Sequence, residues 1–316
     1  MRVLRDSPEP LGARVIAQRL KDYGIELGER AVRYHLKLMD ERGFTHLLGR
    51  LDGRVLTERG VEEVDSALVK DKVGFAISRI ELLAFRTTFD PDKPSGLVPV
   101  NVSFFSKDMF SRAIDAMKPA FEAGICVSNL VAVAAEGEAL GDLIVPNGKV
   151  GLATVCSILV NGTLLKAGVP MTSRFSGILQ IRNNRPLRFI ELIEYAGCSL
   201  DPSEVFIRAR MTSVREVANT GHGRILATYR EIPAPCRAMA EDVVAKLKSA
   251  GIDALLVMGG TSEPVCEIGV ELNKIGIILY NGLNPVAAAV EAGIEAENHG
   301  MSTVMEYQRL IKFKEL

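Results

Sequence analysis

Two stretches of this chain read alike. The first is "VPVNVSFFSKDMFSRAIDAMKPAFEAGICVSNLVAVAAEG" and the second is "GRILATYREIPAPCRAMAEDVVAKLKSAGIDALLVMGG". Each reads as an apolar strand, an amphipathic helix closing on Ala-Gly-Ile, and a second apolar strand. Ala123-Gly124-Ile125 matches Ala250-Gly251-Ile252 at an offset of 127. Further on, "LLKAGVPMTSRFSG" resembles "AAVEAGIEAENHG", and Ala167-Gly168 matches Ala292-Gly293 at an offset of 125. Near-constant offsets sustained over a whole half indicate a duplication. The body is therefore expected to form two similar lobes, 75–210 and 211–316. Their strands are near-continuous Val, Ile and Leu, the pattern of strands buried on both faces.

Residues 1–70 follow a different plan. "PLGARVIAQRLKDYG" predicts a helix with Val15, Ile16 and Leu20 inside, ended by Gly24. "IELGE" makes a tight connection to a second helix, "ERAVRYHLKLMDERG", ended by Gly43. Leu47 and Leu48, then "LDG", then Val55 and Leu56 give a β-hairpin signal. Thr57 can cap a following helix. With a short helix at the very start, this is the order of a winged helix-turn-helix, whose second helix of the turn enters the major groove. That helix places Arg30, Arg33, Tyr34 and Lys37 on one stripe, opposite Val32, Leu36 and Met39. Its acids, Asp40 and Glu41, wait until the far end. Three cations and an aromatic also occur on ordinary solvated faces, but in a winged helix such a stripe suits a phosphate backbone and base edges. Arg50 and Arg54, in "GRLDGR", would stand at the tip of the wing. "VKDKVG", Val69 to Gly74, is a charged joint to the body. The fold class expected is α+β, an N-terminal winged helix-turn-helix followed by an α/β region of two similar lobes.

Charge supports that division weakly. Residues 1–60 hold 12 Lys or Arg against 9 Asp or Glu, whereas the remainder holds 26 against 30. A basic first unit on an acidic body hints at a polyanionic partner for the first unit alone. The five cysteines are scattered, odd in number and without a CxxC, which argues against a disulfide framework or a zinc site and for a reducing cytosol. No secretory leader is evident, because Arg2, Arg5 and Asp6 follow Met1. The longest apolar run, Val150 to Val169, is broken by Asn161, Gly162, Thr163 and Lys166 and reads as buried core rather than a membrane span. A cytoplasmic protein is expected.

The motifs of catalysis are missing. There is no Gly-rich phosphate loop of standard spacing, no HExxH and no G-x-S-x-G. Of four histidines, His35 borders the apolar side of its helix and is expected to pack, His46 lies beside the hairpin, and His222 and His299 fall in Gly-rich turns. Small polar clusters in apolar surroundings fit ligand binding better. "PMTSRFSG" groups Thr172, Ser173, Arg174 and Ser176, and an arginine fork with neutral donors is what a carboxylate needs. The matching place in the second copy, "AENHGMST", offers Asn298 and His299, and "MGGTSEP" offers backbone donors after a strand. A plain turn would account for each of these as well.

At this point a family can be compared. "LGARVIAQRL…LGERAVRYHLKLMDERG…GRLDGRVLTERG" resembles the winged helix of archaeal nitrogen-regulatory repressors, the NrpR family, itself similar to one in some ribonuclease R proteins. "GLVPVNVSFFSKD", "VGLATVCSILVNGTLLKAGVP", "FIELIEYAGCSLDP" and "ENHGMSTVMEY" resemble the effector domain of that family. The resemblance implies a repressor that binds operator DNA of nitrogen-assimilation genes as an oligomer, with a dimer the simplest case, and that 2-oxoglutarate releases. It implies no cofactor, metal or catalytic residue. Two other classes stay open: an enzyme acting on a small acid with the winged helix as a tether, and an RNA-binding module. No paired acid and base in one loop supports the first.

Overall fold

The computed structural model describes residues 1–5, 7, 9–21, 25–49, 53–65 and 74–316. The chain divides into two compact units, Met1–Lys72 and Val73–Leu316. Gly24, Arg50, the hairpin tip and nearly all of the charged joint lie outside the described residues.

The first unit runs α1 (Arg2–Arg5), α2 (Ala13–Leu20), α3 (Glu29–Glu41), β1 (Thr45–Gly49), β2 (Gly53–Leu56) and α4 (Glu58–Asp65). Its core joins Val3 and Leu4 of α1, Leu11, Ala13 and Ile16, and Val32 and Leu36 of α3. Ala13, Ile16, Ala17 and Leu20 form the i, i+3, i+4, i+7 stripe of α2 that packs inward. Val15 is off that stripe and 43% exposed, contrary to the sequence expectation. β1 and β2 pair antiparallel as the predicted hairpin. Leu11 adds an isolated antiparallel bridge to Arg54. Gly53 has φ +89°, and a Cβ there would come within 2.6 Å of the Leu11 backbone, so both the turn and the close approach require glycine. Thr57 caps α4 as expected, its Oγ1 accepting from the Gly60 N–H at 3.0 Å.

The second unit opens with α5 (Phe75–Arg86). The first copy of the repeat follows: β3 (Leu97–Ser106), α6 (Phe110–Glu122), β4 (Leu130–Ala134), a small hairpin of β5 (Ala139–Leu140) and β6 (Leu143–Ile144), β7 (Lys149–Val155), α7 (Ile158–Lys166), β8 (Thr172–Arg182) and β9 (Arg185–Glu194). Two short helices, α8 (Pro202–Arg208) and α9 (Val214–Thr220), lead into the second copy. This comprises β10 (Gly223–Pro233), α10 (Arg237–Ser249), β11 (Leu255–Thr261), β12 (Lys274–Tyr280), α11 (Asn284–Glu291), β13 (Ala296–Glu306) and β14 (Ile311–Lys312).

The recurring Ala-Gly signal is a helix stop. Gly124, Gly168, Gly251 and Gly293 all have φ between +69° and +84° just past the ends of α6, α7, α10 and α11. In each case the next residue donates back across the last turn, as Ile125 does to Ala120 O at 2.9 Å and Ile252 to Leu247 O at 2.9 Å. That is a Schellman closure, with the Ile or Val after the glycine buried against the helix end.

The copies are not two side-by-side lobes divided at 210. One sheet has the order β11-β12-β10-β8-β9 and the other β13-β3-β7-β4-β14. Each copy thus gives its last two strands to the other's sheet: β8, which pairs with β10, and β9 from the first, and β13, which pairs with β3, and β14, which pairs with β4, from the second. The helices cross over too, α6 packing on α11 and α7 on α10. Pairing is antiparallel throughout the described ladders, and β3 and β10 are nonetheless buried along most of their length. Burial on both faces, not parallel pairing, produces their continuous apolar sequence. Val150 to Val169 is most of β7 and all of α7, largely buried as expected.

Candidate functional site

On α3 the residues Arg30, Arg33, Tyr34 and Lys37 are all exposed, Tyr34 by 62%. The stripe is less uniform than the sequence suggested. Arg33 bonds Glu29, which opens the helix one turn earlier, and Lys37 lies 3.9 Å from Glu41. Exposed i, i+4 pairs of this kind contribute about 0.3–0.5 kcal/mol, so a phosphate can readily take over either cation. Arg30 has no carboxylate within 4 Å among the described residues. His35, expected to pack, is exposed and stands edge-on to Tyr34 at 5.6 Å between ring centres.

Arg54 is not at the tip of a wing. Its Nε donates to Asp40 Oδ2 at 2.8 Å, and Asp40 also accepts from the Thr45 hydroxyl. Half-buried, this trio staples β2 to the end of α3. The sequence showed the charge of Arg54 but not the partner fourteen residues away. Arg50 lies outside the described residues.

The residues proposed for a carboxylate do not converge. "TSRFSG" is the start of β8 rather than a turn, and a strand sends neighbouring side chains to opposite faces. Ser173 is buried and accepts from Asn161 Nδ2 at 3.1 Å, while Thr172 is exposed. Ser176 is buried with its Oγ 3.3 Å from that of Ser203. Arg174 falls at an irregularity of the β8–β10 ladder and is already neutralised, 2.5 Å from Glu271 and 3.7 Å from the buried Glu231. Lys274 completes the network, bonding Glu271 and lying 3.5 Å from Glu231. The hydrogen bond to Glu271, foremost, raises the Arg174 pKa above the ordinary arginine value. Asn298 and His299 lie on β13 in the other sheet, not in a turn. Asn298 accepts from Ser103 Oγ at 2.8 Å, and His299 pairs with Glu297 at 3.1 Å. Neither shares a polar contact with Arg174. His46 and His222 are exposed.

Sequence reasoning missed an unusual charged group, Arg230. Arg230 on β10 is 1% exposed, and no carboxylate lies within 4 Å of it among the described residues. Its Nη2 donates to Ser157 Oγ at 3.0 Å and its Nη1 to Ser157 O at 3.4 Å, while its Nε has no partner. Burial lowers its pKa from the arginine value. It faces a cavity of about 10 Å³, room for one water at most, in which the Thr228 hydroxyl is likewise without a partner. Asn101 of β3 lines the cavity together with Thr228, and Cys156 together with Asn281. Each pair is related by the repeat offset, so the cavity forms where the two copies meet. The signal available in the sequence was "TYREIP", a charged pair inside an otherwise apolar strand.

A bulge in β13 borders this cavity and is held from three sides. The Gly300 N–H donates to Glu204 Oε1 at 2.7 Å, and the Met301 N–H to Asn101 Oδ1 at 3.0 Å. Arg79 of α5 donates to the Met301 and Ser302 carbonyls at 2.5 and 2.7 Å. Asp201 is half-buried beside it, and desolvation raises its pKa. The same cause lifts Glu204 to about 7. Among the described residues no cluster of His, Cys, Asp or Glu could hold a metal ion, and no helix is long and apolar enough to cross a membrane.

Comparison with known proteins follows the division into units. Residues 73–312 match the NrpR regulatory domains NRD1 and 2, and residues 1–64 match the ribonuclease R winged-helix domain. The chain is 42% identical over 310 residues to the global nitrogen regulator NrpRI of Methanosarcina mazei, covering 98% of this chain and 95% of that one. It is 32% identical to the global nitrogen regulator NrpR of Methanococcus maripaludis over 93% of its own length, and it spans 51% of that longer protein. A crystal structure of a nitrogen repressor-like protein from Methanococcus jannaschii superimposes with a TM-score of 0.64 at 28% identity, over 75% of this chain and 98% of that one.

Proposed function

The chain belongs to the NrpR family of nitrogen regulators, and from that premise we propose that it represses nitrogen-assimilation genes by binding operator DNA and lets go when 2-oxoglutarate binds. Its relatives are named as regulators, and it is a transcriptional regulator, not an enzyme. The observation that carries the proposal is the joining of two units in one chain: a winged helix whose α3 exposes Arg30, Arg33, Tyr34 and Lys37, and a regulatory unit with a polar cavity between repeats.

In this reading α3 enters the major groove, with its exposed cations on phosphates and base edges. Two copies of the chain present two such helices to a two-fold operator. The regulatory unit sets their disposition, and 2-oxoglutarate favours an arrangement that does not fit the DNA. Coupling of about 1–3 kcal/mol is typical of such switches, and a release of tenfold or more lies in the upper part of that range. The test is a titration of the full chain against operator DNA with and without 2-oxoglutarate, with duplex RNA of the same sequence as competitor. Operator affinity falling at least tenfold with 2-oxoglutarate, and RNA competing poorly, is the expected result. Preference for RNA would move the chain to the RNA-binding class, and turnover of the 2-oxo acid would make it an enzyme.

A further inference from the structure

We propose that the outer face of α5 pairs with α5 of a second copy of this chain, the two helices lying parallel and in register. As a device for presenting two winged helices to one operator, the pairing rests on the repressor reading. As a surface it stands on α5 alone.

α5 is apolar on two sides. Ala76, Ile80, Leu83 and Ala84 are buried in a cluster with Ile158, Met301 and Val304, and that side anchors the helix. Phe75, Ser78, Leu82 and Phe85 recur at i, i+3, i+7 and i+10 and form a second stripe on the outside. All four are exposed, Phe75 by 48%, Leu82 by 55% and Phe85 by 69%. A helix that is apolar all round is normally buried all round. At about 200 Å² for an aromatic side chain, the three large residues leave roughly 300 Å² of apolar surface in water. Single exposed apolar residues need no explanation, but a contiguous patch of that size marks an interaction site. It is the core of a contact whose remainder is polar.

Charge identifies the occupant. With Phe75 and Leu82 at a and Ser78 and Phe85 at d of a heptad, Glu81 falls at g and Arg86 at the following e. In a parallel pair each g residue meets the e residue five further along its partner, and opposite signs there set partner and orientation. Glu81 is exposed and has no cation within 4 Å among the described residues. Arg86 makes an exposed contact with Asp142 at 3.3 Å, which a new partner can replace. Parallel pairing therefore brings Glu81 of each copy to Arg86 of the other. Antiparallel pairing would set Glu81 against Glu81. The ends of the stripe already carry a polar rim: the Arg79 guanidinium stands 5.7 Å from the centre of the Phe75 ring, and Lys166 Nζ stands 5.5 Å from that of Phe85.

The contact is isologous, each stripe covering its own copy, so it closes at two chains and leaves no stripe free for further growth. Ser78, small and near the middle of the stripe, lets the helices approach closely there. Orientation has a consequence for DNA. In the chain, α5 is the first element after the winged-helix unit. A parallel pair puts both α5 N-termini at one end, so both winged helices leave from that end, as a two-fold operator requires. An antiparallel pair would send them to opposite ends.

The test is sedimentation equilibrium of the full-length protein without DNA or 2-oxoglutarate, for wild type, Leu82→Glu, Glu81→Arg, Arg86→Glu and the last two combined. Wild type should be a dimer. Leu82→Glu puts a charge into each apolar stripe and should raise the dimer dissociation constant about a hundredfold or more, with the far-UV circular dichroism unchanged. Each single charge reversal should raise it about tenfold, and the combined reversal should return it to within about threefold of wild type. Should Leu82→Glu fail to fold, Phe85→Ser takes its place, with an expected rise of about tenfold. A monomeric wild type, or a dimer that a folded Leu82→Glu leaves at wild-type affinity, overturns the proposal and gives the stripe to another surface of its own chain or to a different protein. Dissociation by Leu82→Glu with no rescue by the combined reversal overturns the parallel pairing. A dimer that behaves as expected but ignores operator DNA upholds the surface and counts against the repressor reading alone.

Discussion

The two units carry their positive charge in opposite ways. On α3 the cations are exposed, and Arg33 and Lys37 have acids of their own helix for partners. At the meeting of the repeats one cation, Arg230, is fully buried and has no carboxylate within 4 Å among the described residues. Exposed charge is inexpensive in free energy and exchanges partners easily, so it suits a surface that must bind and release a polyanion. Buried charge is costly and marks a place where something else completes the site. The units also differ in construction. The first closes its core from one continuous stretch, whereas the second interlaces two copies through β8 and β13.

The largest effect should come from breaking the interlacing. Produced separately as 73–210 and 211–316, neither half has a complete sheet, because each lends two strands to the other. Far-UV circular dichroism and thermal melting should show no cooperative transition for either half, with native signal restored on co-expression. Independent folding of either half would restore the picture of contiguous lobes.

Next in size is Glu204. Its pKa of about 7 lies above the ordinary 4.5 because of desolvation. The folded state therefore binds more protons than the unfolded one between these values. Its contribution is fully present below about 4.5 and is lost as pH rises through about 7, about 3 kcal/mol in all. Glu204→Gln keeps an acceptor for the Gly300 N–H and removes the titration. Urea denaturation at pH 5 and pH 8 should show the wild type losing more stability than the variant over that interval. Parallel behaviour would mean that Glu204 titrates in the ordinary range.

These predictions rest on features of uneven legibility. The winged helix could be read from the sequence because its signals are local: a 3.6-residue stripe, an Asp-Gly turn and a threonine cap. The duplication was legible for the same reason, since a Schellman glycine with its following Ile or Val is a local requirement that both copies meet. Strand exchange was not, because β8 pairs equally well on paper with its own copy or the other. Arg174 misled because hydroxyls flanking an arginine look like a loop, whereas apolar Phe175 and Ile178 continue the strand. Arg230 was passed over because only burial distinguishes it from an ordinary charged strand residue, and burial depends on residues far away such as Ser157 and Asn101. Glu29 was in plain view at the start of α3 and contradicts a stripe of single sign.

On α3, Arg33→Ala and Tyr34→Ala should each cost about 1–3 kcal/mol of operator binding and relax sequence preference, measured by titration against matched and mismatched duplexes. Equal weakening on every sequence would assign them to phosphate contact. A smaller effect is expected at the staple: Asp40→Asn should lower the stability of the first unit by about 1 kcal/mol through the half-buried Arg54, read from its thermal transition. No change there would leave Arg54 free to meet DNA, as the sequence first suggested.

The most direct test of the account is operator binding by the full chain, measured with and without 2-oxoglutarate. The account predicts that the chain holds the operator in the absence of 2-oxoglutarate and that its operator affinity falls at least tenfold as 2-oxoglutarate is added. Operator affinity unchanged by 2-oxoglutarate would contradict it.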